Sequence, residues 1–113
     1  MLSPLEVVQR QFDAYNRRNL DDFLANFHED VKVFRPPSPD PAIVGKCQLA
    51  DFYASERFNR PALKAELISR TVLGNKVFDH ERIWGVRETA FEMMAVFEVQ
   101  DGAIRTIWGF SAE

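Results

Sequence analysis

The segment from Ala14 to Pro36 constrains the fold more than any other part of this sequence. It reads as the end of one helix, a short second helix and then a strand that stops at a proline. Asn19 is a suitable N-cap for the second helix, because its side chain can accept a hydrogen bond from a backbone N–H of the first turn. Proline has no N–H to donate to a sheet, so the strand is predicted to end with Arg35.

The length and charge of the chain exclude several classes of protein. It has 113 residues and a net charge of -3 at pH 7, which predicts a single domain over residues 1–113. A nucleic-acid binder needs a basic surface, and no apolar run approaches the ~20 residues of a membrane span. Cys47 is the only cysteine, so no internal disulfide can form. The first residues lack the pattern of a secretory signal. We therefore expect a cytoplasmic protein that binds neither nucleic acid nor membranes.

The first half of the chain carries strong helix signals. Ser3, Pro4 and Glu6 predict a helix start with a capping box. Apolar residues then recur at steps of three and four, which predicts one buried stripe. The stripe consists of Leu5, Val8, Phe12 and Tyr15. A further helix is predicted over residues 46–56.

The second half changes to the two-residue period of strands. The predicted strands span residues 31–35, 62–73, 76–84, 90–100 and 103–110. Gly74-Asn75 and Asp101-Gly102 are predicted hairpin turns, because both pairs tolerate positive φ. Helices followed by an antiparallel meander predict an α+β fold. The N-terminal helices are expected to pack in a strongly curved, mainly antiparallel sheet, as in a cone-shaped α+β barrel with a cavity.

This pattern resembles the nuclear-transport-factor-2-like superfamily, which includes ketosteroid isomerases and SnoaL-like polyketide cyclases. The resemblance spans essentially the whole chain. It is carried by residues 14–16, 19–24 and 27–31, the proline-rich loop up to Gly45, Phe52, Tyr53 and residues 101–108. The resemblance implies the cone-shaped fold, but the fold by itself does not define a function.

The resemblance also bears on the mechanism. The isomerases use an aspartate at the end of the first strand as general base, and Arg35 aligns with it. Arginine stays protonated and cannot take a proton. Gln11 and Ala95 align with the oxyanion hole of those enzymes, and Ala95 has no donor. Tyr15, one helical turn beyond Gln11, is a possible substitute, and Tyr53 matches a supporting tyrosine. The resemblance thus implies that the isomerase catalytic residues are lacking.

Residues 77–84 contain the densest group of ionisable side chains on a predicted strand. Side chains alternate along a strand, so neighbouring residues face opposite sides of the sheet. The register implied by the resemblance turns Phe78, His80, Arg82 and Trp84 inward. A shift of one residue would turn Asp79 and Glu81 inward instead. We expect the first of these registers.

With His80 inward, Arg35 and Arg82 bring two positive charges to one cavity. Such a cavity suits a carboxylate, enolate or phosphate group. His80 is then the expected catalytic acid or base, since histidine titrates near neutrality. The expected ligand-binding residues are Tyr15, Arg35, Tyr53, Phe78, Arg82 and Phe97. The alternative is structural, with Arg82 paired to Glu92 or Glu98 and His80 bonded to nearby backbone.

Two functions remain open at this point. The first is a pocket protein that acts on a small apolar ligand with a carbonyl or carboxylate group, as an isomerase, lyase or cyclase without a cofactor. A metal site is not expected, because the two histidines lie far apart and no ligand motif surrounds them. The second is a non-catalytic module for ligand binding or dimerisation. Trp108 and Phe110 predict an apolar outer sheet face and hence a homodimer.

Overall fold

The computed structural model describes residues 1–112 and has an α+β architecture, as predicted. The helices are α1 (Pro4–Arg17), α2 (Leu20–Leu24) and α3 (Gly45–Glu56). The strands are β1 (Phe27–Phe34), β2 (Pro41–Val44), β3 (Lys64–Leu73), β4 (Lys76–Trp84), β5 (Phe91–Gln100) and β6 (Ala103–Ser111). Within these residues no helix is long and apolar enough to cross a membrane.

The helix starts follow the sequence signals, but the buried face of α1 differs from the predicted stripe. The Ser3 hydroxyl accepts from the Glu6 N–H at 3.2 Å, and the Glu6 carboxylate accepts from the Ser3 N–H at 3.0 Å. Asn19 caps α2 by accepting from the Asp22 N–H. The buried residues of α1 are Val7, Val8, Gln11 and Ala14. Leu5, which was predicted inside, is exposed because it lies beyond the edge of the sheet-facing stripe.

The six strands form one open, cone-like sheet in the order β2-β1-β6-β5-β4-β3. β1 runs parallel to β6, and the other neighbours are antiparallel. β2 was not predicted, because its four residues follow a run of prolines and begin with Pro41, which is tolerated only on an edge strand. β1 begins at Phe27, earlier than predicted. Its pairing with β6 is irregular between Phe27 and Lys32.

A β-bulge interrupts the hairpin of β3 and β4 beside the inner face of the sheet. The turn at Gly74 and Asn75 pairs Arg70 with Asp79, but further along the strand Leu67 pairs with Glu81. Ile68 is the extra residue, and it is exposed. A bulge bends its strand and increases the local twist, so this one contributes to the curvature of the sheet next to Glu81.

The core lies between the helices and the concave face of the sheet. Five aromatic rings pack together there, with centroid separations from 4.6 to 6.3 Å. They belong to Tyr15, Phe23, Phe27, Tyr53 and Phe58. This cluster holds α1, α2 and α3 together on one side, and it leaves the other side of Tyr15 and Tyr53 open to a cavity.

Candidate functional site

A cavity of about 370 Å³ lies between the helices and the inner faces of β4, β5 and β6. Its apolar wall is made of inward-facing sheet residues together with side chains of α1 and α3. These include Phe12, Val33, Phe52, Ile83, Phe91, Met93, Phe97 and Ile107. Its polar wall consists of Gln11, Tyr15, Arg35, Tyr53, Arg57, Glu81, Arg87 and Ser111. A pocket of this volume and mixed lining falls in the range of small-molecule sites, which is roughly 300 to 1,000 Å³.

The register of β4 is the opposite of the one we expected. Asp79 and Glu81 are buried on the inner face, and Glu81 lines the cavity. Phe78, His80 and Arg82 lie on the outer face and do not line it. The physical reason is the burial of the apolar residues that share each face of the strand. Val77 and Ile83 point inward with the two carboxylates and are buried in the core, whereas Trp84 remains exposed.

His80 and Arg82 both have side-chain partners on the outer face of the sheet. His80 Nε2 lies 2.7 Å from Glu92 Oε1. Arg82 lies 3.3 Å from a Glu66 carboxylate oxygen and 3.6 Å from a Glu92 carboxylate oxygen. The expectation that His80 is the acid or base of the cavity is therefore wrong, because its ring is on the other side of the sheet. The structural alternative for Arg82, a pair with Glu92, is what the structure contains.

The other four expected ligand-binding residues, Tyr15, Arg35, Tyr53 and Phe97, do line the cavity. The structure brings them together with Glu81, which the sequence interpretation had placed outside. Glu81 therefore takes the position in the cavity that had been given to His80.

Glu81 is a buried carboxyl group with no partner of its own. Its side chain is 7% exposed, and within residues 1–112 it forms neither a hydrogen bond nor an ion pair. Fully enclosed polar side-chain atoms all have partners, so the Glu81 oxygens must open to the cavity. Burial, reinforced by the nearby Asp79 carboxylate, raises the pKa of Glu81 to about 8, although Arg70 opposes this shift.

Asp79, two residues away, is in a different electrostatic situation. It is fully buried and accepts two hydrogen bonds from Arg70, at 2.6 Å from Nε and 2.9 Å from the second nitrogen. Arg70 also donates to the Gln9 side-chain oxygen at 2.6 Å. The pair therefore ties β3 and β4 to α1. Both members of the pair are therefore used in structural contacts, unlike Glu81.

Tyr15 and Tyr53 present hydroxyl groups to the same region. Burial is the main cause that raises the pKa of each tyrosine, and the Glu81 carboxylate raises both further. Arg57 acts in the opposite direction on both. All four residues line the same cavity. Both tyrosines stay protonated at neutral pH and so remain hydrogen-bond donors.

Three arginines border the cavity, and two of them were not found from the sequence. The Cζ atoms of Arg35 and Arg57 lie 5.4 and 5.0 Å from the centroid of the Phe52 ring. Arg87 lies over Phe91 at 4.1 Å. Arg57 follows α3, and Arg87 lies in the connection from β4 to β5, and loops of this kind carry no periodic signal. Glu81 was misplaced together with the register of β4. The predicted hairpin at Gly74-Asn75 sets Arg70 opposite Asp79, but a charged pair of this kind fits either face of the sheet.

The fold and the site together define an α+β cone protein with a cavity between its helices and its sheet. The chain belongs to the SnoaL-like domain family, whose model matches residues 8–107. None of the curated protein sequences compared with it matches.

Solved structures with the same fold come from several bacteria. An uncharacterised cystatin-fold protein from Novosphingobium aromaticivorans has a TM-score of 0.85 at 18% identity, covering 96% of this chain and 98% of its own. A candidate ketosteroid isomerase from Kribbella flavida has a TM-score of 0.83 at 19% identity, and the match covers 97% of this chain and 78% of that protein. A candidate polyketide cyclase from Sinorhizobium meliloti has a TM-score of 0.79 at 18% identity, and the match covers 96% of this chain and 99% of that protein. At these identities the similarity shows the fold alone. The family and these neighbours support a ligand-binding or enzymatic fold.

Proposed function

We propose that this protein is a small-molecule enzyme in which Glu81 transfers a proton at a carbon next to a carbonyl group. The observation that carries the proposal is the unpaired Glu81 carboxyl, which is buried and faces a cavity of about 370 Å³. Burying a carboxyl without a partner costs stability. Groups of this kind are found where catalysis requires them.

The chemistry of Glu81 suits acid–base work near neutrality. A general acid or base is most effective when its pKa lies near the working pH. The pKa of Glu81, at about 8, meets this condition, whereas an ordinary exposed glutamate would be fully ionised. Glu81 is therefore available in both protonation states at neutral pH, so it can take a proton from one carbon and return it to another.

The other half of such a reaction is stabilisation of the oxygen that becomes negative. Tyr15 and Tyr53 supply hydroxyl donors, and Gln11 supplies a buried amide in the same cavity. Donors fixed in a site from which water is excluded stabilise an enolate oxygen more than water does. Isomerases, lyases and cyclases all share this step.

The proposed mechanism differs from that of the ketosteroid isomerases. Their general base aligns with Arg35, which cannot accept a proton, and their oxyanion-hole positions align with Gln11 and Ala95. All three residues line the cavity here. We propose that Glu81, on β4, takes over as the base, so that the proton leaves from a different wall of the cavity.

Hydrogen exchange tests this proposal without knowledge of the natural substrate. 1-Tetralone and 1-indanone are incubated with the protein in D₂O, and proton NMR follows the loss of their α-protons. We expect catalysed exchange that falls roughly a hundredfold or more in Glu81→Gln and is unchanged in His80→Ala. The rate should increase as pH rises towards about 8, because the ionised form is the base.

The same experiment contains the outcome that would overturn the proposal. If the ketones raise the melting temperature of the protein, and so bind, but exchange no faster than in buffer, the protein is a ligand-binding module. Equal rates for the parent and Glu81→Gln would remove Glu81 from the mechanism.

We further propose that two copies associate through the outer face of the sheet. Phe78, Val96 and Trp108 are paired in register across β4, β5 and β6. Met94 in the neighbouring row is 37% exposed. Sedimentation should show a dimer that Met94→Glu dissociates, whereas Val44→Glu, an exposed position on the edge strand β2, should not. A monomeric parent would exclude the dimer.

A further inference from the structure

We infer that the cavity binds a small aromatic carboxylate, with its anionic group held by Arg35 and Arg57 and its ring in the apolar part of the cavity. This inference specifies the ligand of the site in the proposed function and rests on that site. Three features support it: the placement of the two arginines, the charge balance of the cavity wall and the residues of its apolar part.

The two arginines converge on one ring from different parts of the chain. Arg35 follows β1, Arg57 follows α3, and both guanidinium groups lie over Phe52. Stacking on an aromatic ring fixes a guanidinium plane while leaving its N–H edge available. Within residues 1–112, no carboxylate forms an ion pair with either arginine. Arg57 uses one donor, Nη1, on the Glu56 carbonyl oxygen at 2.9 Å. A guanidinium has five N–H donors, so the two arginines still have donors for a ligand.

The charges of the cavity wall are unbalanced. Glu81 is the only acidic side chain among the described residues of the wall, against the cations of Arg35 and Arg57. Arg35 and Arg57 both lower the pKa of Tyr53, so their fields overlap at the same hydroxyl. Two like charges brought together without a counter-ion cost free energy, which a bound anion would recover. A carboxylate can accept bidentate bonds from each guanidinium.

The apolar part of the cavity determines the rest of the ligand. Phe91, Met93, Phe97 and Ile107 line it from β5 and β6, and Ile83 lines it from β4. Aromatic and thioether side chains favour a flat apolar ring. The ligand therefore presents a ring to the sheet and a carboxylate to Arg35 and Arg57.

Glu81 makes this binding sensitive to pH. An ionised Glu81 would repel a carboxylate in the same cavity, whereas a protonated one would not. Binding of the anion thus favours the protonated form and takes up a proton. With the pKa of free Glu81 at about 8, affinity is highest below that pH and falls as pH rises through it.

Calorimetry with 2-naphthoate and its neutral counterpart 2-naphthamide tests the inference. We expect the double variant Arg35→Gln/Arg57→Gln to bind naphthoate roughly tenfold to a hundredfold more weakly than the parent. Its affinity for naphthamide should be unchanged. The matched control is Arg105→Gln, since Arg105 is exposed on β6 and does not line the cavity. Thermal unfolding establishes that each variant is folded.

Comparison across pH separates the contribution of Glu81. Between about pH 6 and about pH 9, naphthoate affinity should fall for the parent and stay nearly constant for Glu81→Gln. Failure of naphthoate to bind, equal affinity for naphthamide, or an equal loss in Arg105→Gln would each overturn the inference. Proton exchange of neutral ketones is a separate readout. If naphthoate binds through the two arginines but the ketones do not exchange, this inference stands and the proposed enzymatic function is wrong. If the ketones exchange but naphthoate does not bind through the arginines, only this inference is wrong.

Discussion

The two faces of β4 carry the same kinds of residue in very different surroundings. On the outer face, His80 forms a hydrogen bond with Glu92, and Arg82 forms ion pairs with Glu66 and Glu92. These side chains are between 33% and 48% exposed. On the inner face, Asp79 has a buried arginine partner and Glu81 has none. Water screens the outer pairs, so each contributes little to stability. The inner carboxyls are not screened, so a change in their charge has a large effect.

The comparison shows why a rich set of ionisable groups on a strand does not by itself mark a site. The outer face holds more contacts between ionisable side chains, but each of these groups already has a partner. On the inner face, the Glu81 carboxyl has no partner. An unpaired buried group is the better indicator of function, because nothing in the fold itself requires it.

The largest expected effect comes from removing one member of the buried pair. Asp79→Ala leaves the Arg70 charge buried without a partner and should lower the free energy of unfolding by about 3 to 5 kcal/mol. Urea denaturation measures this. The matched control is Glu66→Ala, which removes the carboxylate that pairs with Arg82 on the outer face of the same hairpin, with an expected loss of about 1 kcal/mol or less. Equal losses would mean that the two faces do not differ in energy.

A smaller effect is expected from the pH dependence of Glu81. The pKa of this carboxyl is raised above its unfolded value, so the folded state holds the proton more tightly and loses stability as pH rises. From about pH 6 to about pH 9 this contributes a loss of roughly 3 kcal/mol. Glu81→Gln should remove that part of the slope in urea titrations. A variant with the same slope as the parent would show that Glu81 is not buried in its neutral form.

The smallest effect is expected on the outer face. His80→Ala should change the free energy of unfolding by about 0.5 kcal/mol or less, because its partner Glu92 is exposed and still lies near Arg82. The difference should shrink further at high salt. A loss comparable to that of Asp79→Ala would contradict the contrast between the two faces.

The fold was largely predictable, because its signals are local. The caps at Ser3 and Asn19 and the turns at Gly74 and Gly102 act within a few residues, and the structure contains them. β2 has no such signal. Its four residues form a strand only because β1 offers a free edge for pairing.

The site was less predictable, since residues 77–84 have apolar and charged side chains on both faces. The hydrophobic pattern therefore could not choose between the two registers. Arg70 and Asp79 face each other across the hairpin, but such a charged pair fits a solvated face as well as a buried one, so it does not choose the register either. Arg57 and Arg87 could not be found, because their positions depend on where α3 and a loop end in space.

The bulge at Ile68 bends β3 beside Glu81, so we expect the width of the cavity to depend on the length of β3 as well as on the lining side chains. Deleting this one residue would leave every cross-strand partner of β4 in place while removing the bend beside Glu81. Insertions and deletions in β3 thus offer a route to ligands of different size that leaves all lining residues unchanged. Within the family, variation in the length of this strand should therefore accompany changes in the size of the molecule bound.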